Sequence, residues 1–268
     1  MTKVLYISQE ILPYTKENEI STTVRNLPEY IQGFNKEVRL FMPRYGCINE
    51  RRYQLHEVIR LSGMNIEIDD TDYPLIIKVA SVPQAKMQVY FIDNEELFQR
   101  KAVFHDDKGN FFDDNDVRKI FFCKGVLETI KKLGWVPDII HCNGWMTSLV
   151  PMYIKQSFST DPVFEQARII YSAYNSWDGA LSSDLFKKAI TNDVPESMVK
   201  EIENPTWENL TKLGAAYADG VILHTDNKEV LDAVKSQEKP HIMVSGEESF
   251  DEINGFYEEI LEENSVTA

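Results

Sequence analysis

Asp138-Ile139-Ile140-His141-Cys142-Asn143-Gly144-Trp145-Met146-Thr147 is a short apolar run that ends in Asn-Gly and leads into Thr147–Ser157, a segment of helical length. The run Asp138–Cys142 reads as a buried strand, Asn-Gly as a tight turn, and Thr147–Ser157 as the strand's helix. Strand followed at once by helix is the unit from which a parallel sheet covered by helices is built. In open sheets of that kind, ligands bind beyond the carboxyl ends of the strands, where helix N-termini also point. On this reading Asn143 and Thr147 hydrogen-bond a sugar and Trp145 covers its apolar face. The alternative reading makes Asn-Gly simply a turn and Trp145 part of the core.

The same alternation extends in both directions. Val4–Ser8 reads as a first strand, and Ser21 as the cap of a helix that runs to about Gln32 and ends at Gly33. Val38–Met42, stopped by Pro43, completes a βαβ unit with a long first loop. Leu75–Ala80 and Met87–Ile92 form an expected hairpin. Asp114 or Asn115 caps a helix with Val117, Ile120, Phe121, Leu127 and Ile130 on one face, ended by Gly134. Arg168–Tyr174, Val221–His224 and His241–Val244 are the later strands, with a helix from about Asn227. Residues 176–212 look like a polar surface excursion. Ser249-Phe250-Asp251-Glu252 has the capping-box pattern of a last, acidic helix. The expected fold class is α/β, doubly wound and Rossmann-like, with a mostly parallel sheet over residues 1–245 and an acidic C-terminal helix and tail over 246–268.

Composition narrows the function. A chain of 268 residues that is 43% hydrophobic buries a substantial core. No stretch approaches the roughly 18 uninterrupted apolar residues of a membrane helix, and the start reads as a strand, not a signal peptide. A net charge of −15 argues against nucleic acid, since phosphate binding needs a basic face. A neutral ligand such as a carbohydrate suits it better. Cys47, Cys123 and Cys142 sit among apolar neighbours and read as reduced, buried thiols of a cytoplasmic protein. The five histidines show no zinc spacing, and Asp70-Thr71-Asp72 reads as a solvated loop rather than a metal motif. No cofactor and no metal are expected.

Gly134-Trp135-Val136-Pro137-Asp138-Ile139-Ile140-His141-Cys142-Asn143-Gly144-Trp145 resembles the "LGW-x-PDIIHCHDWHT" segment of bacterial glycogen and starch synthases. Tyr6-Ile7-Ser8-Gln9-Glu10 with Pro13-Tyr14-Thr15-Lys16 is similar to that family's opening "SSE-x-x-PFAK". Leu27-Pro28, Val38-Arg39, Pro43-Arg44-Tyr45-Gly46, Asp114-Asn115 with Arg118, and Tyr217-Ala218-Asp219 follow its later motifs in order. The resemblance implies the N-terminal, Rossmann-like half of a GT-B glycosyltransferase. Such enzymes transfer glucose from ADP-glucose to an α-1,4-glucan with retention and without an essential metal, in a cleft between two halves. The N-terminal half mostly handles the acceptor and lends one loop to the donor.

The departures from the family are chemical. Its donor loop "KTGGL" is Lys16-Glu17-Asn18-Glu19-Ile20 here. Side chains in place of glycines obstruct the close approach of backbone N–H groups to a diphosphate. Glu17 and Glu19 also repel phosphates, at about 4 kcal/mol for unit charges some 4 Å apart at an effective dielectric near 20. The histidine of "DWH" is Met146, and "IHN" reads Ala173-Tyr174-Asn175. The late "TVSP" is Leu223-His224-Thr225-Asp226, and the family's second half is expected to be missing. By resemblance Lys16 is the donor-side residue, and Tyr14, Asp114, Asn115, Trp145 and Asn175 form the acceptor or sugar cleft, with no catalytic residue assigned. Two functions are open. One is a reduced glucosyltransferase, completed by a partner protein that supplies the missing half. The other is a non-catalytic glucan-binding or regulatory protein derived from that fold, which binds α-glucan or maltooligosaccharide or self-associates as a homo-oligomer.

Overall fold

The computed structural model describes residues 1–175, 181–183 and 204–262. The first unit is β1 (Lys3–Ser8), α1 (Glu19–Gln32) and β2 (Glu37–Pro43). α2 (Glu50–Tyr53), β3 (His56–Glu57), β4 (Met64–Ile68), β5 (Thr71–Ser81), β6 (Gln88–Asp93) and α3 (Glu95–Phe98) come next, then α4 (Asn115–Leu133). β7 (Ile139–Asn143), α5 (Leu149–Gln156), β8 (Arg168–Ala173), α6 (Trp207–Tyr217), β9 (Gly220–Leu223), α7 (Lys228–Ser236), β10 (His241–Met243) and α8 (Phe250–Glu262) complete the described chain.

One sheet runs in the order β10-β9-β8-β7-β1-β2-β6-β5-β3, with β4 paired to β5. Every pairing from β10 to β6 is parallel, and β5, β3 and β4 join antiparallel. The sheet is therefore the mostly parallel α/β sheet expected. From β1 the chain moves one way to β2 and later returns on the other side at β7, so the strand order reverses between β1 and β7. The loops leaving these two strands diverge there, and that crevice is where such sheets bind ligands.

Both faces are covered. Register aligns Tyr6 with His141 and Ile170 with Gly220 on one face, and Ile7, Cys142 and Tyr171 on the other. The first face carries α8 and the second α6, as the near contacts of Gly220 and Gly214 show. Strands sealed on both sides must be apolar throughout, which is why β7 and β9 are buried at every position. β1 is buried at all but its first residue.

Several local expectations change. Asn18, not Ser21, caps α1: Asn18 Oδ1 accepts the Ser21 N–H and Ser21 Oγ accepts the Asn18 N–H, each at 2.9 Å. Ser21 is the reciprocal member of a capping box. Ser249 makes no such box, because its hydroxyl turns back to Ser245 at 3.1 Å. Cys47 is exposed, while Cys123 and Cys142 are buried thiols as read. Asp69 and Asp70 both take positive φ, 50° and 59°, in the two-residue turn joining β4 to β5. Two left-handed residues match the twist of a hairpin, which leaves Asp70-Thr71-Asp72 exposed at its tip. Much of the region 176–212 lies outside the described residues. Its last part is the start of α6, with Trp207 and Leu210 in the core rather than on a surface excursion.

α4 is buried from Asn115 through Cys123 on every side, not along one stripe. It ends where Gly134 adopts φ 61° and donates its N–H to the Ile130 and Lys131 carbonyls. α8 buries Phe250, Ile253, Phe256, Tyr257 and Ile260 in the same core. Its Tyr257 hydroxyl reaches Tyr6 Oη at 3.0 Å and His141 Nδ1 at 2.6 Å, and His141 Nε2 meets Ser172 Oγ at 2.7 Å. One proton per bond closes this chain if Ser172 donates to Nε2, Nδ1–H donates to Tyr257, and Tyr257 donates to Tyr6. Burial drives the His141 pKa down to about 3, so the ring stays neutral.

Gly220 lies directly under α8, and a Cβ there falls 2.8 Å from Ile260 Cδ1 and Phe256 Cζ. Gly220→Ala is expected to lower stability by about 1–3 kcal/mol through overpacking. Urea unfolding measures it; an unchanged midpoint shows that α8 is not seated as described.

Candidate functional site

The crevice between β1 and β7 is held by a relay of polar contacts. Gly144 has φ 85°, and a Cβ on it would lie 2.4 Å from Gln9 Oε1. Only glycine lets the two loops approach so closely. Gln9 Oε1 accepts the Met146 N–H at 3.3 Å, and its Nε2 donates to Glu10 Oε2 at 3.4 Å. Glu10 Oε1 accepts Asn18 Nδ2 at 3.0 Å, and Asn18 caps α1. Burial raises the Glu10 carboxyl pKa, and the hydrogen bonds from Gln9 and Asn18 oppose that rise.

Two adjoining hollows open on this relay and share Glu10, Asn18 and Phe104. The larger, about 880 Å³, lies between the Pro13–Asn18 loop, the Cys47–Tyr53 segment and residues 101–107. Tyr14, Tyr53, Phe104 and His105 contribute rings to its lining, and Lys16, Arg52, Lys101, Glu10, Glu17, Asp106 and Asp107 contribute charges. The smaller, about 290 Å³, is lined by Gln9, Glu19, Gly144, Trp145, Tyr174, Asn175 and Trp207 besides the shared residues.

The residues expected from sequence distribute unevenly. Tyr14 and Lys16 line the larger hollow; Lys16 is exposed, while Tyr14 is nearly buried, its hydroxyl donating to the Ser81 carbonyl at 3.1 Å. Trp145 and exposed Asn175 line the smaller one. Trp145 is 5% exposed and packs on Phe104 and Phe111, as its core reading has it, and it also lines the hollow. Asp114 and Asn115 line neither. Asp114 pairs with Arg100 at 2.5 Å, and buried Asn115 donates to the Phe104 carbonyl at 3.0 Å and accepts from Arg118. Their position is behind the Phe104 loop, which they anchor. Asn143 and Thr147 are also turned inward: Asn143 takes the Tyr174 hydroxyl at 3.0 Å, and Thr147 donates to the Gly144 carbonyl at 2.8 Å.

The chain matches the family model described as the starch synthase catalytic domain over residues 3–237. The chain belongs to that family. Glycogen synthase from Chlorobium limicola is 34% identical over 219 residues, which are 81% of this chain and 44% of that protein. Glycogen synthase from Chlorobium luteolum is 34% identical over 240 residues, 89% of this chain and 48% of its own length. The chain thus spans about half the length of the curated relatives it matches. In fold it is similar to the catalytic domain of Starch Synthase IV from Arabidopsis thaliana bound to ADP and acarbose, with TM-score 0.73 and 19% identity. That alignment covers 91% of this chain and 51% of the other.

Of the departures noted in the sequence, Glu17, Glu19 and Tyr174 line the hollows. Met146 is fully buried and offers nothing to the hollow. Tyr174 stacks on His224 with centroids 4.1 Å apart and planes 15° from parallel. Gln9, Glu10, Asn18, Phe104 and Trp207 were not among the sequence candidates. Two polar residues directly after a buried first strand were the available signal for Gln9 and Glu10, and Thr206 before Trp207, a usable cap, was the signal for α6.

Behind the wall, Lys119 of α4 is fully buried and donates to the Trp145 carbonyl and, at 2.7 Å, to Ser148 Oγ. Burial pulls its pKa down to about 7 from 10.5. Between these values the unfolded chain holds more protons than the folded one, so stability rises with pH from about 7 toward 10.5. Urea midpoints at pH 7 and 9 are expected to show that rise, bounded by about 1.4 kcal/mol per pH unit. Lys119→Met is expected to lose it; an equal slope in both proteins contradicts the assignment.

Proposed function

We propose that this chain is the acceptor side of a glycogen synthase-type α-1,4-glucosyltransferase: it binds α-glucan along the wall of the two hollows and transfers no glucose by itself. The observation that carries this reading is the composition of the wall. Tyr14, Tyr53, Phe104, Trp145 and Trp207 line it together with the neutral amides of Asn18, Asn49 and Asn175. Rings that cover apolar sugar faces beside amides that bond hydroxyls suit a neutral, hydroxyl-rich chain. Acidic Glu10, Glu17 and Glu19 on the same wall disfavour a diphosphate. Lys16 is the one cation of the loop ahead of α1.

Transfer requires charges preorganised on both sides of a closed cleft, and this wall supplies one side. A second wall facing this one would complete the cleft, and self-association through the aromatic edges at its surface is one way to supply it. The cytoplasm is the proposed location, in keeping with the buried free thiols Cys123 and Cys142. Among the described residues, no helix is long and apolar enough to cross a membrane.

Isothermal titration of the purified chain with maltoheptaose and with ADP-glucose tests the reading. Maltoheptaose is expected to bind and ADP-glucose not. Phe104→Ala and Asn175→Ala are each expected to weaken maltoheptaose by about fivefold, equivalent to about 1 kcal/mol. Transfer of labelled glucose to glycogen by the chain alone, or tight donor binding with no glucan binding, sinks the proposal.

A further inference from the structure

Lys119 lies on α4 beneath the Trp145 turn and has no exposed surface. Among the described residues its hydrogen-bond partners are neutral oxygens, the Trp145 carbonyl and, at 2.7 Å, Ser148 Oγ. The ammonium also lies 5.6 Å from the centre of the Trp145 ring, so one charge meets this residue at both its backbone and its indole. Cys123, one turn further along α4, donates its thiol to the Met146 carbonyl at 3.1 Å. The turn Trp145–Thr147 therefore hangs from α4 by two neighbouring donors, and Lys119 is the charged one.

Burying an ammonium among neutral partners is costly, and a methionine of similar length would fill the space without that cost. What methionine lacks is a hold on Trp145. A charged donor makes hydrogen bonds about twice as strong as a neutral one. A cation near an indole face is also attracted to the ring, more so when both are out of water. Trp145 in turn packs on Phe104 and Phe111 and lines the smaller hollow. Its ring is thus set by two aromatic neighbours and one charge. The groups facing that charge are the thiols of Cys123 from α4 and Cys142 from β7. Burial pushes both thiols up, Cys123 to about 11, so both stay protonated at neutral pH. Within this cluster the group that changes charge near neutrality is Lys119.

We propose that Lys119 is a positioning residue for sugar binding: its ammonium holds the Trp145 ring in the lining of the smaller hollow, and glucan is held more tightly with that charge present than without it. The inference rests on the proposed function for its ligand and deepens it by adding a residue that never meets the sugar. Lys119 is charged below about pH 7 and neutral above it, so glucan affinity falls as pH rises through 7. Linkage is reciprocal. A charged form that binds glucan better makes Lys119 a stronger base in the complex, and binding near pH 7 takes up protons. Fold stability runs the other way, rising with pH because the unfolded chain holds more protons. The protein is therefore most stable where it binds glucan less tightly, a separation that a purely structural lysine does not produce.

The test titrates maltoheptaose calorimetrically into wild type and Lys119→Met on either side of neutrality, at about pH 6 and about pH 8.5. A further pair of titrations near pH 7, in phosphate and in Tris, reports proton uptake through the different ionisation heats of the two buffers. Wild type is expected to bind about threefold more tightly on the acid side and to take up protons near pH 7. Lys119→Met is expected to fold, to bind equally on both sides, no more tightly than alkaline wild type, and to lose the uptake. A flat wild type overturns the inference. So does a slope of equal size in both proteins, which belongs to other groups lining the hollows, such as Glu10. Without ligand, the Trp145 indole N–H NMR signal, identified by its loss in Trp145→Phe, is followed over the same range. It is expected to titrate with a midpoint near 7 in wild type and to stay constant in Lys119→Met. If wild type ignores maltoheptaose, the glucan reading fails alone and the indole signal decides whether Lys119 holds Trp145. A signal that does not titrate, or titrates equally in both proteins, overturns that hold.

Discussion

The close approach of Gly144 to Gln9 is the constraint on which the candidate site depends. With no Cβ at residue 144, the turn after β7 lies against the Gln9 carboxamide. That carboxamide then ties the Met146 N–H to Glu10, and Glu10 to the Asn18 cap of α1. Five elements of the wall are thereby placed by one contact: the end of β1, the long first loop, the start of α1, the end of β7 and the turn bearing Trp145. A side chain at position 144 would push the β1 and β7 loops apart and disconnect the relay, with the strained positive φ adding to the cost.

The rest of the molecule makes that contact rigid. The Tyr6–Tyr257–His141–Ser172 chain pins α8 to the middle of one face of the sheet, and α4 with Lys119 supports the Trp145 turn from behind. Buried polar groups with their partners in place specify one arrangement, because any slip leaves a donor or acceptor without one. The wall inherits that precision while remaining open. Its exposed polar residues, Lys16, Glu17, Glu19 and Asn175, are the ones free to differ without disturbing the frame.

Most of the architecture was legible in the sequence, because apolar runs of strand length punctuated by Gly, Pro and Asn constrain secondary structure locally. The parallel strands, the β5–β6 hairpin and the helices from residues 115 and 250 were readable for that reason. What stayed illegible depended on contacts between distant residues. Ser21 and Asn18 are both good caps by composition, and only the extended backbone at Asn18 selects between them. Asp114 and Asn115 look like cleft residues by motif, but their partners Arg100 and Phe104 place them behind a loop. His224 reads as a lone strand-end histidine, and its meeting with Glu19 and Tyr174 spans α1, β8 and β9.

The chain that joins Tyr6 to Tyr257 also carries a schedule. Tyr6 and Tyr257 are 251 residues apart, and β1 meets β7 only after more than a hundred residues have intervened. On a ribosome adding about 5–20 residues per second, the hydroxyl of Tyr6 waits roughly 10–50 s for its partner. Until β7 is made one edge of β1 is unpaired, and until α8 is made one face is uncovered, which is the state most open to mispairing. Of the described strands, β1 is thus made first and is among the last to be finished. The newborn chain needs shelter for its opening residues until the helix that closes over them has been synthesised.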